Sequence, residues 1–218
     1  MKTLLFDIEG TTTDINFVHK VLFPYSQERI AAFVRSHPAH PAVKEIQSEL
    51  SDSSLENVIA TLLQWIREDK KIGTLKTLQG EIWLEGYRQN HFQGHVYPEV
   101  KTAFENWKAA GFRLAIYSSG SVAAQKLIFA HSSAGDLTPL LSAYFDTKVG
   151  GKRAVESYRR IAQELHSDPS DITFFSDIRE ELDAALGAGM NTRHVFRGLT
   201  QESPHKSITD FTSVDLSS

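Results

Sequence analysis

The sequence predicts a doubly wound α/β fold, a parallel sheet with helices on both faces. Three observations point there. Four short runs, TLLF at 3–6, RLAIYS at 113–118, ITFFS at 172–176 and RHVF at 193–196, are largely apolar or β-branched, as strands buried on both faces are. Amphipathic helical segments lie between the later runs, so strand and helix alternate along the chain. The region from about 15 to 95 breaks that alternation, with helix-periodic stretches and no convincing strand.

Taken in order, the first strand ends in Asp7-Ile8-Glu9, followed by Gly10 and three threonines. Pro24 then opens a helix that runs towards Arg35, with Ile30, Phe33 and Val34 on one face. SHPAHPA at 36–42 is a turn. Leu55, Val58, Ile59, Leu62, Leu63 and Ile66 make the clearest apolar stripe in the chain, which reads as helix-bundle core. Trp83 reads as core as well. In PEVKTAFENWKAAG, Pro98 stands near the first helical turn and Gly111 at the end, while Val100, Ala103, Phe104 and Trp107 share a face. RAVESYRRIAQELH repeats the pattern with Val155, Tyr158, Ala162 and Leu165. The economical description is one α/β core in two pieces, residues 1–14 and 96–218, with an all-helical insertion over 15–95 between them.

Composition narrows the function. The chain has 218 residues and a net charge of −4, which gives a nucleic-acid partner no electrostatic support. It has no cysteine, so disulfides and thiolate metal sites are excluded. The N-terminal apolar run is too short for a signal peptide and is interrupted by Asp7 and Glu9. No apolar stretch approaches the roughly 18 residues of a spanning helix. The expectation is a cytoplasmic enzyme without a membrane partner and, lacking sustained heptads, a monomer. His91 and His95 are four apart, but Gly94 between them argues against a zinc-binding helix. Lys70, Lys71 and Lys76 read as a solvated face; the alternative is a loop that senses substrate on closure.

In an open parallel sheet, ligands bind beyond the carboxyl ends of the strands. Asp7 and Glu9 follow the first strand. Ser118, Ser119 and Gly120 follow the second, where they could also cap the next helix. Lys152 lies in KVGGKRAVESY, and Asp177 follows the third long strand, ahead of Arg179, Glu180 and Glu181. Glu180 reads as a first-turn helix acid outside the site. The remaining groups suit phosphoryl transfer, which needs a nucleophile, an acid/base and positive charge around the phosphate oxygens. An Asp carboxylate can form an aspartyl-phosphate. Mg²⁺ takes a few carboxylates with substrate oxygens and water, and Lys and Ser can hold the phosphate.

DIEGT, YSSG, the Lys152 loop and FFSDIREE, in that order, resemble the four motifs of the haloacid-dehalogenase superfamily, and the helical insertion resembles its cap domain. That resemblance implies a Rossmann-like core. The usual second acid of the first motif is Asp, so Glu9 is a departure, and it narrows the match. DIEGTTTDINFVHKVLFPY, LKTLQGEIW at 75–83, YSSGSVAAQKLIFAHS at 117–132 and GDLTPLLSAYFDTKVGGK at 135–152 are similar to the enolase-phosphatases of methionine salvage, also called acireductone synthases. The similarity weakens after about Arg197.

The resemblance implies Asp7 as nucleophile and Mg²⁺ ligand. It implies Glu9 as acid/base, counted with the metal site through its backbone carbonyl. Ser118, Ser119 and Lys152 become substrate-binding residues, Asp177 a Mg²⁺ ligand, and Glu181 a supporting acid behind them. The implied substrate is 2,3-diketo-5-methylthiopentyl 1-phosphate, enolised and then hydrolysed to the acireductone and phosphate. The enolisation base stays open, with Glu9 one candidate. Alternatives are a plain Mg²⁺-dependent phosphomonoesterase on another small phosphate ester, a metal-free dehalogenase, and a non-catalytic scaffold. An extended backbone at 7–9 would put both acids on one face, and the extra methylene of Glu9 would carry its carboxyl away from the metal, towards substrate. Residues 200–218 receive no role.

Overall fold

The computed structural model describes residues 1–212, 214 and 216; the rest of the tail lies outside the described residues. In chain order the elements are β1 (Thr3–Phe6), α1 (Ile15–Phe17), a π-helical turn (Val18–Leu22), α2 (Phe23–Ser36), α3 (Pro41–Glu49), α4 (Leu55–Arg67), α5 (Gly73–Arg88) and α6 (Val100–Ala109). They continue with β2 (Arg113–Tyr117), α7 (Val122–Ala130), β3 (Ala143–Phe145), α8 (Val155–Glu164), β4 (Ile172–Ser176), α9 (Arg179–Gly187), β5 (Asn191–Val195) and β6 (Lys206–Ile208). The chain separates into two compact units, Met1–Ile15 with Gly94–Ser218, and Asn16–Gln93.

The first unit is a parallel sheet in the order β3-β2-β1-β4-β5-β6. β1 is central, with Phe6 paired to Ile116 on one side and to Phe175 on the other. Every residue of β1 is buried, because both faces of the sheet are covered. Strand alternation divides the core in two. Leu5 packs with Ala115, Tyr117 and Phe174 against Tyr158 and Ile161 of α8 and Leu182 of α9. Phe6 points the other way, into an aromatic cluster with Phe104 (4.9 Å between ring centroids), Phe175 (4.8 Å), Trp107 (5.6 Å) and Phe211 (5.6 Å). Burying one such ring contributes about 1.5–3 kcal/mol.

The four expected strands are present, the last shifted to Asn191–Val195. Two more are found. β3 and β6 are three-residue strands at the two edges of the sheet, and both are partly exposed. An edge strand buries too little to show a continuous apolar run. The tail after residue 200, which received no role, thus supplies β6 and the buried ring of Phe211.

The second unit is all helical. Ile30 and Val34 of α2, Val43 and Ile46 of α3, Val58 and Leu62 of α4, and Leu75, Leu78 and Ile82 of α5 form its core. α4 is preceded by Ser54, whose hydroxyl accepts from the Asn57 amide, a good N-cap. Trp83 is buried and its Nε1 donates to the Leu22 carbonyl at 2.8 Å. Lys70 and Lys71 are half exposed and pair with Glu68 and Asp69. The ring of His91 meets the hydroxyl of Tyr25 at 2.8 Å. Among the described residues no helix is long and apolar enough to cross a membrane.

Candidate active site

The site is built where β1 and β4 run side by side, the point at which the strand order reverses and open α/β sheets bind ligands. The Asp7 amide donates to the Phe175 carbonyl at 2.9 Å, and the Ser118 amide to the Phe145 carbonyl at 3.2 Å. Asp7, Ser118 and Asp177 therefore stand just beyond the ends of β1, β2 and β4.

The expectation of an extended backbone through Glu9 is not met. The Ile8 carbonyl accepts from the amides of Thr11 (3.1 Å), Thr12 (2.9 Å) and Thr13 (2.9 Å), and the Gly10 amide returns to the Thr13 carbonyl at 2.7 Å. These bonds curl the chain directly after Asp7. Gly10 has φ +74°, in the left-handed region that glycine enters without strain. The curl sends the Glu9 carboxylate to Ser118, whose hydroxyl donates to Glu9 Oε2 at 3.2 Å.

Lys152 is nearly buried. Its Nζ lies 2.5 Å from Asp7 Oδ1 and 2.6 Å from Glu181 Oε2, and Ser176 also donates to Glu181 Oε2, at 3.0 Å. The loop that delivers the lysine is fixed by three hydroxyls on three successive carbonyls. Tyr117 donates to Gly150 at 3.0 Å, Ser157 to Gly151 at 2.8 Å and Tyr158 to Lys152 at 2.6 Å.

Asp177 is held through its backbone. Its amide donates to Thr11 Oγ1 at 3.1 Å, and its carbonyl accepts from His194 Nε2 at 3.0 Å. Its Oδ1 is buried without a hydrogen-bond partner. Gly10 packs so closely that a Cβ there would lie 2.1 Å from Asp177 Oδ2.

Four carboxylates, Asp7, Glu9, Asp177 and Glu181, thus gather around one ammonium. Burial, and then the charge of Asp7, raise the pKa of Glu9 and push Asp177 and Glu181 each to about 7. Burial opposes the charge on Lys152, but Asp7 and Glu181 outweigh it and keep the lysine protonated above its ordinary range. The excess of negative charge and the orphaned Asp177 Oδ1 fit a hard divalent cation. Among the described residues no three acidic or imidazole side chains form a metal cluster. Asp7 and Asp177 could supply two carboxylates to such a cation, whose other positions water and phosphate oxygens would fill.

Ser118, Ser119 and Gly120 do not cap the following helix. Ser121 does, accepting from the Ala124 amide at 3.3 Å, with Asp146 accepting from the Val122 amide at 3.2 Å. Ser118 Oγ instead accepts from the Gly120 amide at 3.1 Å. Sequence reasoning missed Thr11, the three hydroxyls behind Lys152, and Ser176. The only signal in the sequence was their place inside the motifs. His95 Nδ1 accepts from the Asp14 amide at 3.0 Å.

A carboxylate at the end of β1, a second acid two residues on, a buried lysine and an orphaned carboxylate oxygen at a switch point suit a hydrolase of the phosphoryl-transfer type. A family model described as "Hydrolase: haloacid dehalogenase-like hydrolase" matches residues 1–189. Among curated relatives, "Enolase-phosphatase E1" of Pectobacterium carotovorum subsp. carotovorum (strain PC1) is 49% identical, covering 99% of this chain and 97% of the relative. The protein of the same name from Pseudomonas syringae pv. syringae (strain B728a) is 47% identical, covering 100% and 99%. Among solved structures, the UTR4 protein of Saccharomyces cerevisiae superimposes with a TM-score of 0.84 at 32% identity, covering 98% and 99%. A dehalogenase at 19% identity and TM-score 0.60 shares the fold. The chain belongs to the haloacid dehalogenase-like hydrolases and, within them, to the enolase-phosphatases.

Proposed function

We propose that this protein is the bifunctional, Mg²⁺-dependent enolase-phosphatase of methionine salvage, acting on 2,3-diketo-5-methylthiopentyl 1-phosphate. The observation that carries the reading is the pairing at the end of β1. Asp7 is gripped by Lys152, while Glu9, two residues on, is turned to Ser118 with a raised proton affinity.

Asp7, Asp177 and the Glu9 carbonyl would hold Mg²⁺, which when bound offsets the repulsion between carboxylate and phosphate. Ser118 and Ser119 hold the substrate, and Lys152 binds the phosphate and keeps Asp7 aimed. The Glu9 carboxylate takes the proton next to the substrate carbonyl, leaving an enolate with its charge on the carbonyl oxygen, and becomes the acid. Asp7 then attacks phosphorus as Glu9 returns that proton to the leaving enol oxygen, releasing the acireductone. Glu9, a carboxylate again, takes a proton from water, which attacks the aspartyl-phosphate and frees phosphate and the Asp7 carboxylate, and Glu9 then passes that proton to solvent. One group whose proton affinity burial raises above the usual carboxylate range can serve all three transfers. We assign the helical unit the role of a cap that selects the methylthio end.

The test is incubation with the diketone phosphate and Mg²⁺, following enol absorbance and phosphate release together. Both signals are expected, and both stop with EDTA. Phosphate release without acireductone would reduce the reading to a plain phosphomonoesterase.

A further inference from the structure

We propose that Arg197, which lies outside all four motifs, is a positioning residue for the reacting turn. The proposal rests on the reading of Asp7, Glu9 and Asp177 as the reacting and metal-holding groups. Arg197 follows β5, and its side chain is only 11% exposed. Two of its nitrogens, Nε at 3.0 Å and Nη2, donate to the Thr11 carbonyl, while Nη1 pairs with Glu99. The guanidinium is flanked by two rings, with Cζ 4.0 Å from the centroid of Tyr97 and 4.7 Å from that of Phe211.

Thr11 is fully buried and makes three different contacts. Its amide closes the curl onto Ile8, its carbonyl goes to Arg197, and its hydroxyl accepts from the Asp177 amide. Next to it, Gly10 abuts the Asp177 carboxylate. The turn that carries Glu9 is therefore held between Arg197 on one side and Asp177 on the other. Loosening the Arg197 grip frees Thr11 and changes the separation between the Asp177 carboxylate and the Glu9 carbonyl. A lysine cannot replace this arrangement, because a single ammonium lacks the planar fork that donates twice to one carbonyl while stacking between rings.

The test uses the full-length protein with Arg197→Lys, Thr11→Val, the pair combined, and Thr11→Ser. Two quantities are measured well below each variant's melting temperature: binding of Mg²⁺ alone by titration calorimetry, and kcat for phosphate release. Arg197→Lys is expected to weaken Mg²⁺ binding and lower kcat by about 10- to 100-fold, the usual range for a group that orients a metal ligand. The double variant should fall short of the product of the single effects, because both act through Thr11. Thr11→Ser, which keeps the hydroxyl, should behave as wild type. A lowered melting temperature with wild-type Mg²⁺ affinity and kcat would overturn the proposal, as would strictly multiplicative effects in the double variant. If Arg197→Lys does not fold, Thr11→Val against Thr11→Ser decides by the same readouts. Asp7→Asn separates the two levels. Retained phosphate release there would sink the site reading, whereas an inactive Asp7→Asn beside a normal Arg197→Lys would sink only the role of Arg197.

Discussion

Lys152 bridges Asp7 and Glu181 with one ammonium, at 2.5 Å and 2.6 Å, inside a nearly closed environment. The carboxylate at the end of β1 and the one on α9 are neutralised by the same side chain, delivered by a loop whose three carbonyls are each taken by a hydroxyl. This places positive charge beside Asp7 before any substrate arrives.

Replacing that lysine tests the bridge. Lys152→Met leaves Asp7 and Glu181 facing each other without a counter-charge. Breaking a buried pair from one side costs about 3–5 kcal/mol, and protonation of Glu181 recovers part of it. Chemical denaturation of the metal-free protein should show the loss, and phosphate release should be abolished. Unchanged stability would mean that the two carboxylates are better solvated than their burial implies.

The pH dependence follows from the raised carboxyl pKa values. Asp177 and Glu181 titrate at about 7 in the folded protein, against ordinary values of 3.8 and 4.5. Between those limits the folded state binds more protons than the unfolded one, so their contribution is fully present below the ordinary values and is lost as pH rises through 7. Exposed pairs such as Arg35–Glu56 pull the other way, but solvent screens them. Thermal melts in EDTA should therefore show a falling Tm from pH 5 to pH 8, and added Mg²⁺ should restore it at pH 8. A metal-free Tm that rises across this range would contradict the assignment.

Gly10→Ala probes the close approach of the turn to Asp177. The new Cβ would meet Asp177 Oδ2 at 2.1 Å, on a residue with φ +74°. The left-handed backbone alone costs roughly 1–2 kcal/mol for a residue with a Cβ, and the clash must be relieved by moving the carboxylate. Mg²⁺ affinity and phosphate release should both drop about 10- to 100-fold. Retention of both would show that Asp177 need not sit where it is found.

The tail makes a separate point about stability. Phe211 is buried against Phe6, Trp107 and Phe175. Phe211→Ala should cost about 3–5 kcal/mol, the usual figure for a buried Phe, read from urea denaturation. A loss under 1 kcal/mol, the scale of an exposed side chain, would place the tail outside the core.

Phe211 also shows where the sequence is hard to read. TLLF and ITFFS were legible because strands covered on both faces must be apolar throughout. AYF and KSI at the sheet edges carry no such pattern, and a lone Phe among Ser, Thr and Asp does not announce a core contact. At the site, Asp7, Glu9 and Asp177 stand out as polar groups after strands, and Lys152 only through its place in the third motif. Thr11 and Arg197 do not, because their contact depends on the curl at Ile8, which brings together residues 186 positions apart. Ser121 rather than Ser118 caps α7, a shift of three residues that a run of serines leaves open.

The proposed mechanism requires that Asp7 become covalently phosphorylated during turnover. Rapid acid quench of the protein during turnover of the diketone phosphate with Mg²⁺, followed by peptide mass spectrometry, tests it most directly. One phosphoryl group is expected on the peptide containing Asp7 and none in Asp7→Asn, while Glu9→Gln, which lacks the group that starts enolisation and protonates the leaving oxygen, should form it far more slowly. Steady phosphate release with Asp7 unmodified in every quench, or undiminished release by Asp7→Asn, would contradict it.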